Sequence, residues 1–299
     1  MQLNLEKYRF FQEVQLWPYS KDLNYESWLK NFTDGEEQEI ASRILNFFVY
    51  IPEQLVNQLL VSVFSKCGAY FKRVDESWVH KSFKDNCWYS FIPGESPNPT
   101  DSGNFFSRKL RDVIGIPEDR ILDFSNLILK LETSISYENV ILVDDFVGSG
   151  AQCDNAWNKQ RYGKNLSTLS EIANAGGHHI IYAPLLMNYM GYDRIKRKCN
   201  SLELAYIHKL GPEYNLFSKE CPCWESNEKL YRKGIDLILR KSEEIGIKSS
   251  FGCSVIDIKG FGCQGLALAF AHGMPDACPP FFYWTQNWIP LIKKYYHRS

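Results

Sequence analysis

The 299-residue sequence has no apolar run near the roughly 20 residues that a membrane-spanning helix needs. Stretches such as Ile180–Met187 and Leu266–Ala271 have only the length of buried strands. An excess of one charge is also missing. The 34 Lys and Arg against 35 Asp and Glu leave a net charge of −1, so bulk electrostatics predict neither nucleic acid nor an acidic membrane as a partner. No Gly-Lys-Ser/Thr loop is present, which removes the P-loop ATPases. There is no internal repeat and no low-complexity tail. The start, Met1-Gln-Leu-Asn-Leu-Glu-Lys-Tyr8, lacks a basic segment followed by an apolar one, so no secretory leader is expected. The nine cysteines are odd in number and dispersed, which argues against a disulfide framework. A soluble protein of a reducing, cytoplasmic interior is expected.

What is present describes a folded chain. Hydrophobic residues at 44% and charged residues at 23% exclude a disordered or collagen-like polymer and provide for a substantial core. The first part reads as helical. Glu36–Tyr50 places Ile40, Ile44, Leu45, Phe47 and Phe48 at helical spacing behind Thr33-Asp-Gly35, and Gln54–Phe64 forms a second apolar helix. The texture changes near Cys87. Strands are predicted at Cys87–Ile92, Val140–Val143, His179–Met187, Glu203–His208 and Leu266–His272, and helices at Phe105–Ile114, Ala151–Lys159, Leu166–Ala175 and Glu225–Ile245. Alternating strands and helices indicate an α/β fold, a mainly parallel sheet flanked by helices. The expected organisation is a helical N-terminal subdomain over residues 1–85 and an α/β domain over 86–299.

One segment carries chemistry, Val140-Ile-Leu-Val-Asp-Asp-Phe-Val-Gly-Ser-Gly-Ala-Gln152. An apolar strand is expected to end in Asp144 and Asp145, projecting from its carboxyl end, beyond which ligands bind in an open α/β sheet. Gly148, Ser149 and Gly150 then let the backbone curl so that successive N–H groups face inward. The helix beginning at Ala151 and Gln152 adds the positive end of its dipole, which suits a phosphate. Two carboxylates beside such a loop suit the hydroxyls of a ribose, or Mg2+ with its oxygen ligands. A metal-dependent nuclease would also use an acid pair, but the distributed acidic and basic cluster expected of one is missing.

The pattern of four apolar residues, Asp-Asp, two apolar residues and a small Gly/Ser loop resembles the phosphoribosyl-diphosphate signature of type I phosphoribosyltransferases. That resemblance implies that Asp144 and Asp145 contact the ribose 2′ and 3′ hydroxyls and serve Mg2+ directly or indirectly. It also implies that Gly148, Ser149, Gly150, Ala151 and Gln152 wrap the 5′-phosphate. Two positions depart from the family's pattern: Gly148 stands where Ser, Thr, Ala, Val or Asp is usual, and Gln152 where Ser or Thr closes the loop. Because Gly148 cannot help to protonate a base, purine salvage is not expected. Further landmarks resemble a phosphoribosyltransferase-like branch from bacterial conflict systems. They are Trp28-Leu-Lys-Asn-Phe32, Glu39, Ala41, Leu45-Asn-Phe-Phe48, Asp101-Ser-Gly103 and Met274-Pro-Asp276 through Trp284. This resemblance implies a role in anti-phage defence, with a ribose phosphate or nucleotide as ligand and a partner protein of the defence system. Two readings follow from it: a phosphoribosyl-transferring enzyme, or a catalytically inactive nucleotide sensor or adaptor that recruits an effector. No organic cofactor is implied.

Other segments have both a functional and a plain reading. Pro93–Gly103 is rich in turn residues, and Ser102, Gly103 and Arg108 can face a diphosphate; a surface loop capping the next helix explains them equally. The C-terminal block from Gly260 to Trp284 suits hood-like loops folding over a base, with His272 and Asp276 the polar candidates; structural packing is the alternative. Cys221-Pro-Cys223 lacks the second ligand pair of a zinc site and reads as loop packing, with a redox pair as its alternative. His178-His179 reads as a strand-edge polar pair, with metal binding as its alternative. The run Arg194-Ile-Lys-Arg-Lys198 reads as a solvated helix face, with nucleic-acid contact as its alternative.

Overall fold

The computed structural model describes residues 5–18, 23–94, 102–254 and 256–293, with backbone only at 102–104. In chain order its helices and strands are α1 (Leu5–Glu13), α2 (Tyr25–Trp28), α3 (Gly35–Phe47), β1 (Val49–Ile51), α4 (Glu53–Val74), α5 (Ser82–Asn86) and β2 (Cys87–Ser90). There follow α6 (Ser102–Lys109), α7 (Phe124–Thr133), β3 (Asn139–Val147), α8 (Ala151–Asn158), α9 (Leu169–Gly176), β4 (His179–Asn188) and α10 (Tyr189–Lys198). The last are β5 (Glu203–Leu204), β6 (His208–Leu210), α11 (Glu228–Glu244) and β7 (Leu268–Phe270), with short 3-10 turns between and one turn of π-helix, Leu110–Ile114, continuing α6. No described helix is long and apolar enough to cross a membrane.

The chain forms two compact units, one of residues 57–210 and the other of residues 1–56 with 211–299. This partition differs from a division at residue 85, because the segments at the two ends of the chain share one core. Order along a sequence does not show that pairing.

The 57–210 unit holds the five-stranded sheet, ordered β2-β3-β4-β5 with β6 also on β4, and every pair is parallel. A parallel sheet must be covered on both faces. On one face Val140, Leu142, Ile180 and Tyr182 pack with Leu127, Ile128 and Leu131 of α7, Ala156 and Trp157 of α8, and Ile172 of α9. On the other, Tyr89 of β2 stacks on Phe64 of α4 at 5.8 Å between ring centroids and donates its hydroxyl to the Phe83 carbonyl at 2.8 Å. Capping follows the sequence signals. Thr168 and Glu171 form a reciprocal box at the start of α9, and Asn188 accepts from the Met190 N–H at the start of α10.

In the other unit, Asp34 caps α3 by accepting from the Glu37 N–H at 2.8 Å, as Thr33-Asp-Gly35 suggests. The helix stops at Phe47, and Val49–Ile51, expected to begin within that helix, is strand β1. It pairs in parallel with β7, in the register Val49↔Leu268 to Ile51↔Phe270. Two β-branched residues in three favour the extended form once a partner strand is available. Trp28, fully buried, lies against Phe32, Phe281 and Phe282 and donates its indole N–H to the Phe281 carbonyl at 3.3 Å. The Asn31 amide and the Ile289 backbone exchange two hydrogen bonds, of 2.9 and 3.1 Å.

Candidate functional site

The acids do not end their strand. β3 runs on through Asp144 and Asp145 to Val147, because Phe146 and Val147 keep the parallel register with Leu186 and Met187 of β4. Both acids are half-buried. Asp144 Oδ1 accepts from the Asp145 N–H at 2.9 Å, and its Oδ2 accepts from the Tyr182 hydroxyl at 2.5 Å. Asp145 Oδ1 accepts from the Phe146 N–H at 2.8 Å. Burial first, and the Asp145 charge second, hold the Asp144 carboxyl well above the usual carboxylate range. Burial and then Asp144 push the Tyr182 hydroxyl upward, so it remains a donor.

The chain then turns through Gly148, Ser149 and Gly150 into α8. Gly150 adopts the left-handed region, φ 70° and ψ 7°, which glycine enters without steric cost. A side chain there would also collide, because a Cβ would lie 2.9 Å from the Gly191 carbonyl oxygen. The contact is reciprocal: a Cβ on Gly191 would lie 2.4 Å from the Gly148 carbonyl oxygen and 2.7 Å from Val147 Cγ1. The small-residue loop is therefore shaped by a second glycine, in the first turn of α10. Ser149 Oγ accepts from the Ala151 N–H at 3.3 Å. The Gln152 side-chain amide donates to the carbonyls of Ile92 and Pro93 at 3.1 and 3.0 Å, tying α8 to the exit of β2. What Gln152 offers an anion is thus its backbone N–H, in the first turn of a helix whose opening N–H groups lack helical acceptors.

Beneath this loop α8 buries Asp154, to which Lys159 and Lys198 reach at 3.4 and 3.8 Å. Burial raises the Asp154 carboxyl, but the Asn158 amide and the two lysines outweigh it and leave it lowered. Lys198 of the basic run Arg194–Lys198 is therefore an ion-pair partner, as well as part of an exposed helix face. Ser90, the last residue of β2, has a fully buried hydroxyl with no hydrogen-bond partner among the described residues.

The remaining candidates separate by place. Residues 95–101 of the Pro93–Gly103 loop lie outside the described residues, as do the Ser102 and Gly103 side chains; both residues open α6, on which Arg108 is exposed. His272 and Asp276 belong to the other compact unit. There His272 is half-buried with its ring 5.1 Å from that of Phe270, and the Asp276 carbonyl accepts from the Phe261 N–H at 2.8 Å. Cys221 and Cys223 are buried, and no group of three or more His, Cys, Asp or Glu among the described residues is arranged to hold a metal. His178 is structural: its Nδ1 accepts from the Glu138 N–H at 3.0 Å and its Nε2 lies 3.2 Å from the Leu131 carbonyl.

A parallel sheet whose third strand in the chain carries paired acids into a glycine-shaped helix start agrees with what the sequence resembles. The family model PRTase-CE matches residues 25–294. The chain belongs to this phosphoribosyltransferase-like family. No curated protein and no solved structure matches it. Within this PRTase-CE chain, two site residues were not anticipated from sequence, Tyr182 and Gly191. Each left a signal. Tyr182 is the one hydroxyl inside the apolar run Ile180–Met187, and a buried tyrosine needs an acceptor. Gly191 interrupts a helix start, where glycine marks close backbone approach.

Proposed function

We propose that this phosphoribosyltransferase-like protein binds phosphoribosyl diphosphate, or a related ribose phosphate or nucleotide, together with Mg2+ at the β3–α8 junction. The observation that carries the reading is the loop Gly148–Gly150, which leads into α8, is held against Gly191 of α10 and follows the half-buried acid pair by two residues. In this reading the backbone N–H groups of Ala151 and Gln152 hold the 5′-phosphate, and Asp144 and Asp145 accept from the ribose hydroxyls.

The donor set fits Mg2+ in one way. Two adjacent carboxylates, with no third His, Cys, Asp or Glu grouped with them among the described residues, suit an ion that would complete its shell with diphosphate oxygens and water. Asp144 and Asp145 would hold it, and the ion when bound would stabilise charge on the departing diphosphate. In a transfer reaction the bond from the anomeric carbon to the diphosphate loosens as positive charge builds on the ribose. The residues of this chain then act by fixing the phosphate and the ring hydroxyls while an acceptor approaches. Calorimetric titration tests the reading: the protein should bind phosphoribosyl diphosphate in the presence of MgCl2, and an Asp144→Ala, Asp145→Ala double variant should not. Equal binding by that variant would refute the assigned roles.

A second reading is a nucleotide sensor or adaptor that recruits an effector. The commitment of the Gln152 side chain to Ile92 and Pro93 favours it, because the usual hydroxyl that closes the loop is replaced by a structural tie. Pyrophosphate release that disappears in the double variant would exclude it. The biological role we propose, anti-phage defence with a partner protein, rests on the resemblance of the landmarks. Phage plaque counts on cells carrying the wild type or the double variant test it.

A further inference from the structure

We propose that one surface of the 57–210 unit binds single-stranded polynucleotide through a row of alternating cations and tyrosines on α4, the β5–β6 connection and α10. The row is made of residues to which the ribose-phosphate reading assigns no role, and it does not rest on that reading.

The row can be followed ring by ring. On α4, Lys66, Tyr70 and Arg73 stand at helical spacing on one face, and the Arg73 guanidinium lies over the Tyr70 ring at 5.6 Å. Lys66 reaches to the β5–β6 connection, where its ammonium donates to the Tyr206 carbonyl at 2.5 Å and lies 5.3 Å from the centre of the Tyr206 ring. That ring meets Tyr192 of α10 edge to face at 5.6 Å, and Lys209 of β6 lies over the Tyr192 ring at 4.6 Å. The three cations are exposed and the three tyrosines half-buried, so part of each tyrosine meets solvent. Lys196, one turn beyond Tyr192 on α10, adds another exposed cation. Residues 66–74, 189–198 and 203–210 together carry eight Lys and Arg against two acids, Asp193 and Glu203, in a chain whose net charge is −1. Glu203 lies 4.0 Å from Arg73.

Packing alone accounts for one cation over one ring. It does not call for cations and rings to alternate across three separate elements on an exposed surface. Single-stranded nucleic acid uses both kinds of group, because its phosphates pair with ammonium and guanidinium groups and its unpaired bases stack on aromatic rings. A duplex keeps its base faces inside its own stack, and an acidic peptide offers carboxylates without a flat partner for the tyrosines. The basic run Arg194–Lys198 of α10 then flanks the row as added positive charge.

Fluorescence anisotropy on the full-length protein tests this, with labelled single strands of about 16 nucleotides. The wild type should bind, and its affinity should fall with added salt at about 0.7 logarithmic units per neutralised phosphate. A Lys66→Ala, Lys209→Ala double variant should bind at least about tenfold more weakly, with a salt slope shallower by about 1.4 and an unchanged melting temperature. Tyr206→Leu keeps an apolar side chain and loses the stacking face. It should bind about tenfold more weakly at an unchanged salt slope, a split that loss of charge alone does not produce. Parallel titrations with RNA and DNA of one sequence identify the source, and binding of either supports the proposal. No binding of either strand overturns it, as does wild-type affinity in the double variant. A duplex of the same length or a polyglutamate peptide bound as tightly as the single strand also overturns it, the latter assigning the row to an acidic protein. Should Tyr206→Leu not fold, the exposed double variant still decides the matter. Binding of phosphoribosyl diphosphate by both variants should match the wild type, so the two sites succeed or fail separately.

Discussion

At Gly191 a single methyl group has nowhere to go. Its position would fall 2.4 Å from the Gly148 carbonyl oxygen, 2.7 Å from Val147 Cγ1 and 3.2 Å from the Gly150 nitrogen, so relief needs the loop backbone to shift. Gly191→Ala should therefore cost about 2 kcal/mol in a denaturation experiment and weaken phosphoribosyl diphosphate binding as the loop shifts. Gly35→Ala, where a Cβ meets nothing within 4 Å, is the control and should leave both unchanged or slightly improved. Asp144 makes the opposite kind of prediction. Its carboxyl is held well above its ordinary value of 3.8, so the folded chain binds that proton more tightly than the unfolded chain does. Stability is then lost as the pH rises above that ordinary value. Asp144→Asn should raise the melting temperature of the ligand-free protein at about pH 7 and much less at about pH 4, while weakening ligand binding. A melting temperature lowered equally at both pH values would contradict this account.

At the scale of elements, β3 and the start of α8 were legible because apolar run, acids and glycines stand in chain order. That the strand outlasts its acids was not, since Phe146 and Val147 stay extended only through their pairing with Leu186 and Met187. The helix signals of α3, α8, α9 and α11 hold to within a few residues, where caps such as Asp34, Thr168 and Asn227 decide the start. β7 was legible as a strand, but its partner β1 was hidden inside a helical pattern. Tyr182 and Gly191 were hidden for a related reason: each matters through an atom on another element, and no local pattern records that atom. The joint between α7, β3 and α9 also titrates. Burial lowers the His178 imidazole below its ordinary 6.5, against a weaker pull upward from the Leu131 carbonyl and Glu138. A base with a depressed value must lose the acceptor role of Nδ1 on protonation, so its contribution is complete above 6.5 and is lost as the pH falls through that value and below. Wild-type melting temperature should fall between about pH 7 and pH 5 more steeply than that of His178→Gln.

At the scale of the whole molecule, the two ends of the sequence complete one core. Trp28 with Phe281 and Phe282, Asn31 with Ile289, and β1 with β7 are contacts across most of the chain. Removing residues 211–299 should leave α2, α3 and β1 without their partners and leave the five-stranded sheet intact. Hydrogen exchange on such a truncation should show protection over 139–147 and 179–188 and none over 25–51. Protection retained over 25–51 would show that the N-terminal helices are stable by themselves. The same arrangement bears on biosynthesis. The five-stranded sheet has all its residues once position 210 has emerged from the ribosome, whereas residues 25–51 must wait for residues 266–292. During translation Trp28 and Phe32 stay without their final neighbours for roughly 10–50 s, a window in which a chaperone that grips exposed aromatics would find its client.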